Sequence, residues 1–272
     1  MIRDNAGELM MIDGETIVIK DGKPYETEGI KIYEVVRVIG GKPLFLKEHI
    51  ERLENSFKVL NMGVPQKIKN LGHEIHEFVR QARIVNGNVK IICDGIGGAD
   101  NRTIIYETVS RYPDRTLYEK GVAVVTLEKS RTSPGAKTME DDLRMHADNK
   151  KKEKNAYEVI LVDGQGNMTE GSRSNIFFFK DGILHTAPLD KVLPGITRMK
   201  VFEFCAKKGI EVKVHPIKRN ELANFDGAFL TGTSINMLPV KSIDGIVYPV
   251  SGFAVELPAQ FEKHMIVDVL NA

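Results

Sequence analysis

Tyr33-Glu34-Val35-Val36-Arg37-Val38-Ile39-Gly40-Gly41-Lys42-Pro43-Leu44-Phe45-Leu46-Lys47-Glu48-His49-Ile50-Glu51-Arg52-Leu53 carries the signals of two strands and a helix in one run. Valine and isoleucine dominate positions 33–39, a strand composition. Gly40-Gly41 then supplies the positive φ angles of a tight hairpin turn, and 43–46 reads as the return strand. From about Lys47 the apolar spacing changes. Ile50, Leu53, Phe57 and Leu60 recur at intervals of three and four, which predicts a helix to about Leu60. Strand, turn, strand and helix in succession predict a core shared by a sheet and helices.

The same mixture continues on both sides. Residues 15–20 alternate, with Ile17 and Ile19 on one face. A second helix is predicted from about 65 to 83, then strands at 89–93 and 103–106. Residues 112–121 read as a polar linker. Beyond it come strands at 122–127, 159–162, 176–179, 183–185, 211–214 and 227–230. One helix is predicted from 197 to 208, stopped by Gly209, and a last one over about 254–265. The predicted fold class is α/β (α+β) with two lobes: a smaller N-terminal domain over 1–115, a larger C-terminal domain over 120–272, and the linker at 112–121.

Composition excludes several functions. Among 272 residues, 38 Lys plus Arg face 37 Asp plus Glu, a net charge of +1. That balance lacks the basic excess a nucleic-acid binder needs. No stretch is long and apolar enough to cross a bilayer, and residues 1–8 hold no apolar signal core. Two cysteines, Cys93 and Cys205, are too few for a disulfide scaffold and read as reduced core thiols of a cytoplasmic protein. His73 and His76 lack the zinc-protease spacing, so no metal site is predicted.

Four segments could carry chemistry. His49, Arg52 and Ser56 form a stripe beside the apolar face of the first helix; on spacing alone Arg52 reads as a surface residue, with an anion contact as the alternative. Leu193-Pro194-Gly195-Ile196-Thr197-Arg198 opens a helix, where backbone N–H groups favour anions. Leu230-Thr231-Gly232-Thr233-Ser234 places hydroxyls at a strand end, or forms a plain turn. Met168-Thr169-Glu170-Gly171-Ser172-Arg173-Ser174-Asn175 leads into an aromatic strand, with Glu170 either a site carboxylate or a loop acid.

Taken in this order with Tyr157-Glu158 and Leu238-Pro239-Val240, these segments resemble the class IV (fold-type IV) pyridoxal 5'-phosphate (PLP) aminotransferases over nearly the whole chain. That group includes branched-chain aminotransferases, D-amino acid aminotransferases and aminodeoxychorismate lyases. The resemblance implies a D-amino acid aminotransferase-like fold and ping-pong transfer of an amino group from an amino acid to a 2-oxo acid. It implies PLP as cofactor and a homodimer. A lyase of the aminodeoxychorismate type and a catalytically impaired PLP-binding relative are the alternatives.

The resemblance also implies residue roles. The family's Schiff-base lysine lies about twenty positions before the Tyr-Glu pair, which reaches Lys137, with Ala147 as the small helix residue ten positions on. Glu170 matches the glutamate facing the pyridine nitrogen. Arg52, the N–H groups of Ile196 and Thr197, and the Thr233 hydroxyl match the phosphate contacts. Leu193 matches the residue packed on the ring. Tyr33 matches an active-site tyrosine, and Ser234 offers an N–H to a substrate carboxylate. Three departures blur the substrate. Strand 89–93 has no arginine, no Arg-x-His follows it, and Thr138-Met139-Glu140-Asp141-Asp142 is unusually polar. Lys90 or Arg102 could supply the missing carboxylate contact.

Overall fold

The computed structural model describes residues 2, 4–19, 29–96 and 101–271. Lys20 of the first predicted strand, and Gly97 and Gly98 of the glycine-rich stretch after strand 89–93, lie outside them. The chain divides into two compact units, Met1–Arg111 with Gly135–Met139, and Tyr112–Pro134 with Glu140–Ala272.

The first unit holds strands β1 (Asn5–Ile12), β2 (Glu15–Val18), β3 (Ile30–Ile39), β4 (Lys42–Pro43), β5 (Asn86–Ile96) and β6 (Arg102–Thr108), and helices α1 (Leu46–Val59) and α2 (Leu71–Gln81). The strands form one antiparallel sheet in the order β2-β1-β6-β5-β3-β4. Gly40 and Gly41 take φ of +57° and +77°, the two positive angles that turn β3 into β4. Alternation along β3 buries Ile32, Glu34, Val36 and Val38 on one face. The apolar members pack with Leu53 and Phe57 of α1 and Ile75, Phe78 and Val79 of α2. A carboxylate thus stands in an apolar row, and α1 must answer it.

The second predicted helix is broken. Residues Gln66–Asn70 are a 3₁₀ turn, and α2 starts only at Leu71. Ile68, Leu71, Ile75 and Phe78 keep helical spacing across the break, which hides it in the sequence.

The second unit holds α3 (Arg115–Lys120), β7 (Val122–Glu128), α4 (Asp141–Lys154), β8 (Glu158–Val162), β9 (Asn167–Gly171), β10 (Asn175–Lys180), β11 (Ile183–Thr186), α5 (Ile196–Lys208), β12 (Val212–Val214), β13 (Ile217–Lys218), β14 (Gly227–Gly232), β15 (Asn236–Ile243), β16 (Ile246–Val247) and α6 (Phe253–Asn271). Its ten-stranded mixed sheet runs β12-β11-β10-β14-β15-β7-β8-β9-β13, with β16 paired to β15. Residues 112–121, read as a linker, carry α3, whose N-terminus is capped by the Asp114 side chain accepting from the Leu117 N–H at 3.1 Å. Among the described residues no helix is long and apolar enough to span a membrane.

Five strands, β1, β9, β13, β15 and β16, escaped the sequence reading, and two of them have a clear reason. β9 is fully buried, yet its Asn-Met-Thr-Glu-Gly looks like a loop. β15 contains Pro239, a residue that argues against a strand interior. Pairing of β15 with β7 begins only at Val240, past the missing proline donor.

Candidate active site

Lys137 belongs to the first unit, although the sequence reading placed it in the C-terminal lobe. The cause is an open sheet edge. β4 pairs with β3 only at Val38 and Ile39, so among the described residues it leaves the other end of β3 uncovered on that side. Residues 137–139 take that place. The Tyr33 N–H donates to the Lys137 carbonyl at 3.0 Å, the Met139 N–H donates to the Lys31 carbonyl at 3.1 Å, and Ile32 bridges Thr138. The Lys137 N–H turns the other way and donates to Ser56 Oγ at 3.0 Å. Its Nζ lies over the Tyr33 ring, 4.6 Å from the centroid.

Arg52 is not a surface residue. It is 7% exposed, and it answers Glu34, itself 2% exposed. Nε donates to Glu34 Oε1 at 2.7 Å and Nη2 to Oε2 at 2.6 Å, a paired-fork contact. His49 Nδ1 contacts Glu34 Oε2 at 2.8 Å; the carboxylate accepts, so this nitrogen carries the proton. Burial pushes the Glu34 carboxyl up, but the Arg52 charge and the Arg52 and His49 hydrogen bonds outweigh it and hold the group far below its ordinary range. For His49 burial dominates. It lowers the imidazole below its ordinary 6.5, Glu34 opposes, and Arg52 and Lys137 push it down further. The folded protein therefore keeps His49 neutral, while the unfolded chain takes up a proton once pH falls below about 6.5. Stability is expected to fall with acidification from that point, by at most about 1.4 kcal/mol per pH unit for this one group. Melting curves at pH 7.5 and 5.5 check it: His49→Gln should show the shallower loss.

In the second unit, Glu170 sits near the end of β9 with Leu193 as a partner. Oε2 accepts from the Leu193 N–H at 3.1 Å and from Asn175 Nδ2 at 3.3 Å. Asn175 Nδ2 also donates to the Leu193 carbonyl at 3.0 Å. Oε1 accepts from Arg131 Nε at 2.7 Å, and Arg131 Nη2 reaches the Ser172 carbonyl at 3.0 Å. Ile196 and Thr197 open α5 behind Gly195, where an added Cβ would strike Asn175 Oδ1. Thr233 and Ser234 form the turn after β14, just past Thr231, which pairs with Asn175 across β10 and β14. Glu158 fastens the loop after Glu170. It accepts from Ser172 Oγ at 2.6 Å, the Arg173 N–H at 3.2 Å and Ser174 Oγ at 3.2 Å.

Within the first unit the fold thus gathers Lys137, Tyr33 and, through Ser56, Arg52. Within the second it gathers Glu170, Leu193 and the opening of α5. Sequence reading missed Arg131, Asn175 and the pairing role of Glu34. A lone arginine in Ser130-Arg131-Thr132 carries no pattern, but an acidic residue on the buried alternation of β3 was a legible signal. The two carboxylate contacts suggested for the substrate already have partners: Lys90 Nζ donates to Asp4 Oδ2 at 2.7 Å and Arg102 Nη2 to Asp94 Oδ2 at 3.1 Å. Lys90 keeps its place beside the Tyr33 ring, 5.7 Å from the centroid.

A sequence model described as amino-transferase class IV matches residues 31–243, from β3 through β15. The chain belongs to the class IV aminotransferases. It is 29% identical to D-alanine aminotransferase of Listeria monocytogenes over 257 residues, covering 90% of this chain and 88% of that protein. It is 28% identical to branched-chain-amino-acid aminotransferase of Escherichia coli over 237 residues, with 80% and 76% covered. Its fold matches a hypothetical aminotransferase from Mycobacterium tuberculosis in its PLP-bound form, with a TM-score of 0.80, 20% identity, and 96% and 99% covered. The enzyme has the fold of the fold-type IV group, and the cofactor of its class is PLP.

Proposed function

We propose that this aminotransferase moves an amino group between an amino acid of branched-chain or D type and a 2-oxo acid, in two alternating half-reactions. The anchoring of Lys137 carries the reading. Both of its backbone groups are held, by Ser56 and Tyr33, while its amine is presented over an aromatic ring. PLP supplies, when bound, a carbonyl that takes the amino group and a ring that accepts the electron pair left at the substrate α-carbon.

The donor set fits that cofactor. Lys137 Nζ would be the covalent anchor and then the base that takes up the α-proton. Arg52, the N–H groups of Ile196 and Thr197, and the Thr233 hydroxyl bind the phosphate; Gly195 leaves the helix opening without a Cβ. Glu170, fixed by Arg131 and Asn175, would favour a proton at the ring nitrogen. Leu193 would pack on the ring, Tyr33 would line the substrate side, and the Ser234 N–H would receive substrate carboxylate. The acids after Lys137 do not argue for an impaired relative, because they have structural partners. Asp142 pairs with Lys129 at 2.8 Å and Glu140 lies 3.7 Å from Arg131 Nη1. Two buried, unpaired cysteines support a reducing, cytoplasmic setting, and the family resemblance supports a homodimer.

A panel of L- and D-amino acids, read by the visible absorption of the bound cofactor, tests the reading. One stereochemical series should convert the aldehyde form to the amine form, and a 2-oxo acid should restore it. If no amino donor changes the band, the transferase reading falls; product release without that half-reaction would point to the lyase.

A further inference from the structure

We propose that Ser56 is a positioning residue that couples the phosphate arginine to the imine-forming lysine. The proposal rests on the roles given above to Arg52 and Lys137 and adds a third residue to which neither the family resemblance nor the sequence reading gave a task. Ser56 is fully buried in the second half of α1, flanked by Phe57 and one turn from Leu53. Serine is an indifferent helix former, and an apolar residue would suit that setting better. Its hydroxyl makes two hydrogen bonds. Oγ donates to the Arg52 carbonyl at 2.9 Å, one turn back, and accepts from the Lys137 N–H at 3.0 Å.

The second bond is the informative one. Residues 137–139 dock on β3 through the Lys137 carbonyl and the Met139 N–H, so that pairing leaves the Lys137 N–H unused. A hydroxyl accepts there while donating elsewhere, which an alanine or valine cannot do. Arg52 and Lys137 are 85 positions apart in sequence, yet one oxygen atom links their backbones. An anion that steadies the Arg52 turn therefore steadies the backbone of the lysine as well. Loading of the phosphate and placement of the amine become one event.

Hydrogen exchange resolved at the Lys137 amide, in the cofactor-free protein with and without inorganic phosphate, tests the coupling. In the unmodified chain, phosphate should slow exchange both along α1 and at Lys137. Ser56→Ala should speed the Lys137 amide at least about tenfold, the signature of a lost hydrogen bond worth one power of ten in opening. It should also abolish the response of that amide to phosphate while α1 still responds. Ser56→Thr, which keeps a hydroxyl, should restore the response. An unchanged Lys137 amide in Ser56→Ala, or one that still responds to phosphate, overturns the proposal, and so does phosphate that slows neither segment. Borohydride labelling of Lys137 in the loaded enzyme is a separate readout. If it fails, the lysine assignment falls whatever Ser56 does; if it succeeds while exchange shows no coupling, only the Ser56 role falls.

Discussion

Lys137→Ala is expected to abolish amino transfer while leaving the protein folded. The two halves of that expectation have different physical sources. A positioned acid–base group contributes about 10²–10⁴ in rate, and this side chain also supplies the covalent anchor, so turnover should fall by at least the top of that range. Folding should barely notice. The hydrogen bonds that dock residues 137–139 on β3 and on Ser56 are all backbone bonds on the lysine side, and alanine keeps every one. The lost contact is the amine over the Tyr33 ring, worth about 0.5–1 kcal/mol at a partly exposed position. Lys137→Arg sharpens the test, because it keeps the charge over the ring but removes the nucleophilic amine. Borohydride reduction of the loaded enzyme followed by peptide mapping should place the label at Lys137 and remove it in both variants. A label within the Lys150–Lys154 run, or turnover within tenfold of the unmodified enzyme in Lys137→Ala, would refute the assignment.

The lysine shows how far the sequence could be read and where it stopped. Counting back from Tyr157 reaches Lys137 in the family's order, but no periodicity could say that residues 135–139 belong to the first unit and pair with its sheet. That docking depends on a strand, β4, too short to cover the edge of β3, a fact about length and not about composition. Elements with clean spacing were legible: β3, its glycine turn, α1, and α5 with its stop at Gly209, which takes φ of +70° as a helix-ending glycine should. Elements whose polar residues are buried were not. β9 hides Asn167, Thr169 and Glu170 inside the protein, and its loop-like composition goes with the partners that Thr169 and Glu170 find there. The same reason concealed Arg52. Its spacing beside the apolar stripe is that of a surface residue, and only the carboxylate of Glu34, fifteen positions before His49, explains why it is inside.

Removing that carboxylate should give the largest stability loss in the first unit. Glu34→Ala leaves the Arg52 guanidinium buried without its counter-charge and the His49 Nδ1 proton without its acceptor, a change expected to cost about 3–5 kcal/mol in thermal or urea unfolding. Glu34→Gln keeps the shape but turns an amide donor toward donors on Arg52 or His49, and should cost about 1–3 kcal/mol. The pH dependence has a definite sign. The Glu34 carboxyl is held far below the ordinary glutamate value of 4.5, so its contribution is fully present above that value and fades as pH falls below it. The stability gap between the native chain and Glu34→Gln should therefore be level from pH 8 to 6 and close only in acid. A further change separates fold from function. Replacing Glu34 and Arg52 together by Leu and Met removes both charges, and buried ion pairs exchanged for apolar side chains of similar size are often neutral or stabilising. That double variant should recover most of the stability lost in Glu34→Ala. It should not recover PLP affinity, because the phosphate has lost its guanidinium; pyridoxal, which lacks the phosphate, should bind the native chain and the double variant alike. If PLP binds the double variant as tightly as the native chain, Arg52 serves only to neutralise Glu34, and the anion that the first unit was built to hold must be sought elsewhere.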